Sequence, residues 1–127
     1  MRRLIIALAV IGVASLFTAE RAVAGSEAIR TMAKITMGLN HFPSEDDKAA
    51  LNAIVDSDEA SDDEAAIAMA LANIQHKVTE ADAKRLKEVV DDRNSDADAR
   101  KLAGIVLSVN HSPSAEDKAA LETLAAN

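Results

Sequence analysis

The stretch Leu39-Asn40-His41-Phe42-Pro43-Ser44 decides the fold, because it recurs as Val109-Asn110-His111-Ser112-Pro113-Ser114. Midway between the two lies a more diverged copy, Ile74-Gln75-His76-Lys77-Val78-Thr79. The three histidines of the chain therefore stand 35 residues apart, at positions 41, 76 and 111. A fixed period of this length is typical of helical repeat arrays.

The repeat extends well beyond the histidines. Residues 33–57 and 103–127 share 11 identities over 25 positions without a gap. Two alanine-rich helices that matched by chance would not keep Asn-His, Pro-Ser and Asp-Lys in one register. The predicted repeats span about 26–60, 61–95 and 96–127.

Each repeat predicts two helices, because apolar residues recur at the helical spacing i, i+3, i+4 and i+7. The stripe of the first helices is Met32, Ile35, Thr36 and Leu39, then Ile67, Ala70, Leu71 and Ile74, then Leu102, Ile105, Val106 and Val109. The narrower stripe of the second helices is Leu51, Ile54 and Val55, then Leu86, Val89 and Val90, then Leu121, Leu124 and Ala125. We expect the first helices to contact neighbours on two sides and the second helices to have one wet face.

Side chains that cap helices recur in the same frame. The predicted caps are Ser26, Ser61 and Asp96 before the first helices and Ser44, Thr79 and Ser114 before the second. Pro43 and Pro113 disfavour helical geometry at the residues before them, so the first helices should end at or near the histidines. The predicted helices are 27–41, 45–56, 62–76, 80–92, 96–111 and 115–126. Gly38 and Gly104 then fall inside first helices, where they would permit close helix crossing.

The fold class is therefore all-α, with three 35-residue helical hairpins and six helices. The pattern leaves two arrangements open, a short right-handed stack of hairpins or a compact antiparallel bundle. The period resembles that of tetratricopeptide arrays, whose Trp, Leu-Gly, Tyr and Phe signature is missing, so the likeness is one of architecture. The last hairpin ends at residues 124–127 with no separate capping helix, which leaves an apolar end that a second copy could cover, so a homo-oligomer is one possible state.

The N-terminus predicts export. Arg2 and Arg3 precede an apolar run from Leu4 to Phe17, and Ala22-Val23-Ala24 forms a small-x-small cleavage site. The run has 14 residues, whereas a membrane span needs about 20. We therefore predict a signal peptide at 1–24, a single domain at 25–127, a periplasmic or secreted location, and no membrane insertion after cleavage.

Charge and composition exclude several functions. Residues 25–127 carry 11 Lys/Arg and 20 Asp/Glu, a formal charge of −9, which disfavours binding to nucleic acid. Phe42 is the one aromatic residue after position 24, which argues against a sugar site, a base-stacking platform or a haem-sized pocket. The chain has no cysteine, so neither a disulfide nor a cysteine nucleophile is available.

His41, His76 and His111 are the candidate binding positions. The functional interpretation is metal binding or pH sensing, and the structural one is a residue that ends a helix. In an open stack, equivalent positions lie about 10 Å or more apart, so the three side chains could not share one ion. On that argument we expect no bound metal and no cofactor.

Two acidic loops, 56–62 and 92–96, have some likeness to calcium loops. Counting from Asp56, the sixth and twelfth positions hold Ser61 and Ile67 where an EF-hand needs Gly and Glu. Solvated linkers that contain helix caps are the expected structure, although the carboxylates could bind calcium weakly.

No nucleophile with an adjacent base and no glycine-rich phosphate loop is visible, so the chain is not expected to be an enzyme. We expect an exported protein-interaction module whose first helices line one surface and whose partner is a basic or amphipathic protein segment. The alternative is a periplasmic cation-binding or stress-related protein that uses the acidic loops and the histidines.

Overall fold

The structure is a computed structural model that describes residues 26–127, and the predicted signal peptide, residues 1–24, lies outside the described residues. These residues form six helices and no strand, as the sequence predicts. The helices are α1 Glu27–Met37, α2 Glu45–Asp56, α3 Asp62–Ala72, α4 Glu80–Asp91, α5 Ala97–Ser108 and α6 Ala115–Ala126.

All six predicted caps start their helices. Each cap side chain accepts a hydrogen bond from a backbone N–H of the first turn, which would otherwise lack a partner. In α2 and α3 the side chain of the third helical residue makes a reciprocal hydrogen bond to the cap. Asp47 accepts from the N–H of Ser44, and Glu64 accepts from the N–H of Ser61. These caps fix where each helix begins.

The first helices end earlier than predicted. They end at Met37, Ala72 and Ser108, three to four residues before the histidines. The sequence pattern had predicted helix ends at 41, 76 and 111. The prediction was wrong because the stripe residues Leu39, Ile74 and Val109 are buried without being helical. Apolar periodicity marks burial, and here burial continues beyond the last helical turn.

The two classes of helix form two layers. The inner layer is α1, α3 and α5, which contact one another, and every residue of their predicted stripes is buried. The outer layer is α2, α4 and α6, in which fewer side chains are fully buried, with Leu51, Leu86 and Leu121 the deepest. The widths of the stripes therefore predicted the layers correctly.

The repeats close into a ring. Each outer helix packs most extensively against the inner helix of the next repeat: α2 against α3, α4 against α5, and α6 back against α1. A guanidinium nitrogen of Arg30 in α1 also donates to the carbonyl of Asn127, 3.1 Å away, at the far end of the chain. The three repeats thus form a closed bundle with approximate threefold symmetry, and of the two arrangements left open the bundle is the correct one.

Closure overturns two expectations. The apolar end expected after the last hairpin is covered by α1, so the argument for a second copy at that end is wrong. The first helices do not line an accessible surface either, because they form the interior of the ring. Within residues 26–127 no helix is long and apolar enough to cross a membrane.

The expected role of the glycines in helix crossing is also wrong. Gly38 ends α1 as its C-cap, and a methyl group added there would meet only carbonyl oxygens of its own helix, at 3.9 Å. Gly104 lies inside α5, where an added methyl group would meet nothing within 4 Å. No neighbour requires a glycine at position 104.

Gly104→Ala should therefore stabilise the protein. Alanine loses less backbone entropy than glycine on folding, which predicts a gain of about 0.5–1 kcal/mol in the free energy of unfolding. Urea denaturation followed by circular dichroism measures the change. Ala103→Gly, one residue earlier in the same helix, should destabilise, and a destabilised Gly104→Ala variant would show that the space beside Gly104 is needed.

Candidate metal centre

The loops between inner and outer helices meet at one end of the ring. Each loop carries one histidine, and the three backbones form a closed cycle of hydrogen bonds. The N–H of His41 donates to the carbonyl of His111. The N–H of His111 donates to the carbonyl of His76, and the N–H of His76 donates to the carbonyl of His41. Each N···O distance is 2.6 Å. One residue from each repeat therefore lies beside the axis of the ring, joined to both of its equivalents.

The cycle requires an unusual backbone conformation. His41, His76 and His111 have φ angles of 71°, 71° and 69°, and they are the non-glycine residues with positive φ in the part of the chain that the structure describes. At His41 the turn is closed by a 2.9 Å hydrogen bond from the N–H of Phe42 to the carbonyl of Asn40. The left-handed region disfavours residues with a Cβ atom, although histidine enters it more often than most. Positive φ lets one residue use both its N–H and its carbonyl within the cycle.

The imidazole rings converge above this cycle. Their centroids are 4.8 to 5.0 Å apart, and one ligand nitrogen from each ring can be chosen so that all three lie within 4.8 Å of one another. Three nitrogens bound to a tetrahedral zinc ion at about 2.0–2.1 Å lie about 3.3 Å apart. The Nδ1 atoms of His76 and His111, at 2.9 Å, are already this close. Binding of one ion requires the third nitrogen to move to the same separation.

The hydrogen bonds of the rings bear on which nitrogens could bind a metal. The Nδ1 of His41 lies 2.7 Å from Oδ1 of Asn40, an acceptor, so the tautomer that satisfies this contact donates from Nδ1 and leaves the lone pair on Nε2. A hydrogen bond that orients one ring nitrogen in this way is typical of histidines that bind metals. Between His76 and His111, one Nδ1 donates and the other accepts. A metal ion could replace that shared proton.

The side chains are accessible from one side. All three histidines are exposed, whereas Pro43 and Pro113, two residues further along their loops, are buried. Val78, at the same place in the middle repeat, packs against the core. The histidines therefore stand on a packed base and face solvent.

Helix dipoles at this end of the ring favour a positive charge on the axis. The inner helices α1, α3 and α5 all end shortly before the histidines, so their negative poles point to the cluster. The outer helices begin at the same end, but acidic residues in their first turns offset their positive poles. Glu45, Asp47 and Asp117 are among these residues.

The expected separation of the histidines is wrong for a simple geometric reason. It applied to an open stack, in which equivalent positions are displaced along the array. In a closed ring, equivalent positions surround one axis, and residues near that axis meet. The interpretation of the histidines as helix-ending residues is also wrong, because α1, α3 and α5 end before them and their backbones bond to one another.

The acidic loops have the structure expected of capped linkers. In the first loop, Ser57 Oγ accepts from the N–H of Glu59 and Ser61 caps α3. In the second, Asp92 Oδ1 accepts from the N–H of Asn94 and Asp96 caps α5. Among residues 26–127 the only group of three or more possible ligands within metal-binding distance is the histidine cluster.

Two buried carboxylates also have structural partners. Glu64 completes the cap of α3 and accepts a hydrogen bond from the hydroxyl of Ser26, which joins the starts of α3 and α1. Asp82 accepts from the Thr79 hydroxyl at 3.0 Å and from the Asn73 amide at 3.1 Å. These carboxylates hold helix starts in place, and their burial needs no catalytic explanation.

Comparison of the chain with known proteins gives no match, whether with family models, with curated proteins or with solved structures. The geometry of the histidine cluster is therefore the basis on which a function can be inferred.

The backbone conformation at His76 predicts an unusual ranking of substitutions. His76→Asn should tolerate positive φ, whereas His76→Val should be less stable than His76→Asn by about 1–2 kcal/mol, because a β-branched side chain clashes there. Chemical denaturation in the presence of a chelator measures the difference. The matched pair Lys77→Asn and Lys77→Val, at an exposed neighbour without positive φ, should show no such penalty for valine. Equal stability of the two His76 variants would contradict the left-handed backbone.

Proposed function

We propose that the protein binds one transition-metal ion through His41, His76 and His111. The single observation that carries this proposal is the convergence of three accessible imidazoles, with ligand nitrogens within 4.8 Å of one another, on a backbone cycle that holds them together. Three histidines are a known protein ligand set for zinc. The proposal takes up the cation-binding alternative of the sequence analysis and assigns it to the histidines rather than to the acidic loops.

The donor set selects the kind of metal. Imidazole nitrogens suit zinc, copper and nickel, whereas calcium and magnesium require oxygen ligands. The affinity of a nitrogen site should increase from cobalt to nickel to copper, and zinc should bind more weakly than copper. We expect no tight calcium site.

Export remains part of the proposal. The support is the sequence of residues 1–24, and a periplasmic or secreted location would expose the site to metal ions outside the cytoplasm. The charge of −9 over residues 25–127 would raise the local concentration of cations around the protein. The protein would hold the ion without a catalytic step.

Isothermal titration of the purified protein, prepared without a polyhistidine tag, should give one copper or zinc ion per chain. His41→Asn, His76→Asn and His111→Asn should each weaken binding by at least about tenfold, because the loss of groups that merely orient a ligand already costs about 10–100-fold. Asparagine keeps the tolerance for positive φ, so these variants should remain folded.

Lys77→Asn serves as the control, because it changes the neighbouring residue and leaves all three imidazoles. It should bind metal as the unaltered protein does. Binding that survives all three histidine substitutions, or a stoichiometry other than one, would contradict the proposal.

Metal binding should also stabilise the fold. An ion that binds only the folded state adds about 2.7 kcal/mol to the free energy of unfolding when its free concentration is a hundred times Kd. Thermal unfolding with zinc and with calcium measures this effect. Zinc should raise Tm and calcium should not, and the variant with all three histidines changed to asparagine should show no zinc effect. A zinc effect that persisted in that variant would place the ion elsewhere.

A second candidate function, the protein-interaction module, is favoured by one groove. It lies between α1, α2 and the start of α3, and it is lined both by apolar side chains, among them Ala28, Ala50 and Ile54, and by acidic ones, among them Glu27 and Asp58. Apolar and acidic side chains in one groove suit a basic amphipathic helix, whose apolar residues and cations they could both contact. Large apolar side chains are scarce on the rest of the described surface, where Phe42 and Met69 are the exposed ones.

If the groove binds a basic helix, a positive charge should weaken that binding only when it is placed inside the groove. Ala53→Lys would place a cation in the groove, and it should abolish crosslinking of a basic partner helix that the unaltered protein captures at low salt. Ala119→Lys, on the exposed part of α6, is the matched control. Capture that is equal for the two variants would contradict this candidate function.

A further inference from the structure

We propose that the metal ion held by the three histidines keeps a coordination position open to solvent and binds a small anion there. This inference rests on the proposed function, since it concerns the same ion. It adds the chemical class of a second ligand, a small anion.

The geometry places all protein donors on one side of the ion. The three imidazoles rise from a single backbone cycle, and all three are exposed. A four-coordinate ion bound by three of them has its fourth position on the opposite side, which faces solvent. Sites of this kind, with three protein ligands and one external one, are open sites.

The described residues offer no fourth protein ligand. The group of possible ligands within metal-binding distance contains the three histidines and no carboxylate. The nearest acidic residues along the chain lie in the first turns of the outer helices, and several already accept hydrogen bonds. Asp47 accepts from the N–H of Ser44, Asp82 accepts from the Thr79 hydroxyl, and Asp117 accepts from the Ser108 hydroxyl at 2.8 Å. An external ligand is therefore needed to complete four-coordination.

Charge decides the class of that ligand. The three loops, residues 38–44, 73–79 and 109–114, contain no Asp or Glu, although the chain has 21 acidic residues. The one Lys or Arg in these loops is Lys77, next to His76. Three neutral imidazoles leave the charge of a divalent ion uncancelled by its ligands. This local charge, together with Lys77, acts at closer range than the acidic first turns of the outer helices, so an anion is the favoured external ligand.

The rim of the site could also donate hydrogen bonds to an anion. Gln75, Asn110 and Ser112 flank the histidines and are exposed. Their amide and hydroxyl groups are donors that suit an anionic ligand. Phe42, with 61% of its surface exposed, is the apolar exception in the position equivalent to Ser112.

Azide titration of the copper-loaded protein tests the inference. With protein in excess over copper, added azide should produce an azide-to-copper charge-transfer absorption that saturates at one azide per copper, together with a change in the electron paramagnetic resonance spectrum. Copper binding is measured first, in the absence of azide. If copper does not bind, the proposed function fails; if copper binds and azide leaves both spectra unchanged, only the open position is overturned.

A pair of variants tests the charge argument. Ser112→Asp adds a carboxylate beside His111, where it can neutralise the ion or occupy its fourth position, and it should weaken azide binding several-fold without weakening copper binding. Ser57→Asp makes the same change in net charge in a loop between two repeats, at the opposite end of the ring, and azide affinity should stay unchanged. Equal azide affinities for the two variants would overturn the role assigned to the carboxylate-free loops.

Discussion

The packing of α6 against α1 is the contact on which the rest of the structure depends. The other junctions between repeats, α2 with α3 and α4 with α5, join helices that short loops already hold together. The α6–α1 junction joins the first and last helices of the described residues and has no such loop. Without it, the inner helices would not share an axis and the three histidines would not meet. Ring closure thus links the hydrophobic core to the histidine cluster.

Closure also explains a local feature that costs free energy. Left-handed backbone at a residue with a side chain costs of the order of 1–2 kcal/mol, and the ring contains it three times. Each of these residues makes two backbone hydrogen bonds across the axis, one through its N–H and one through its carbonyl. Strained conformations of this kind concentrate at functional sites. Here the strain brings three imidazoles within reach of one ion.

Much of the fold follows from sequence, and the reasons can be traced to particular residues. The caps at Ser44 and Ser61 and the apolar stripes are local signals, so they gave the helix starts and the two layers. The helix ends were wrong because Leu39 and Ile74 continue the apolar pattern into non-helical loops. The choice between stack and ring is a long-range property that local periodicity does not determine.

A signal for closure was nevertheless present. An open array needs terminal helices with a polar outer face, whereas the stripe of α6, with Leu121 and Leu124, is as apolar as those of its equivalents. That pattern, together with histidines spaced 35 residues apart in a three-repeat chain, could have placed the three side chains around one axis. The positive φ angles had a weaker signal, the recurring Asn-His pair, since both residue types enter left-handed geometry more readily than most.

Nuclear magnetic resonance of the imidazole groups during a zinc titration tests the central claim most directly. The chain contains three histidines, so every imidazole signal of an untagged protein belongs to the cluster. If the closed ring assembles one metal site, all three sets of signals should change together and stop changing at one zinc ion per chain. Signals that change one by one, at different zinc concentrations, or that do not change at all would contradict a shared site.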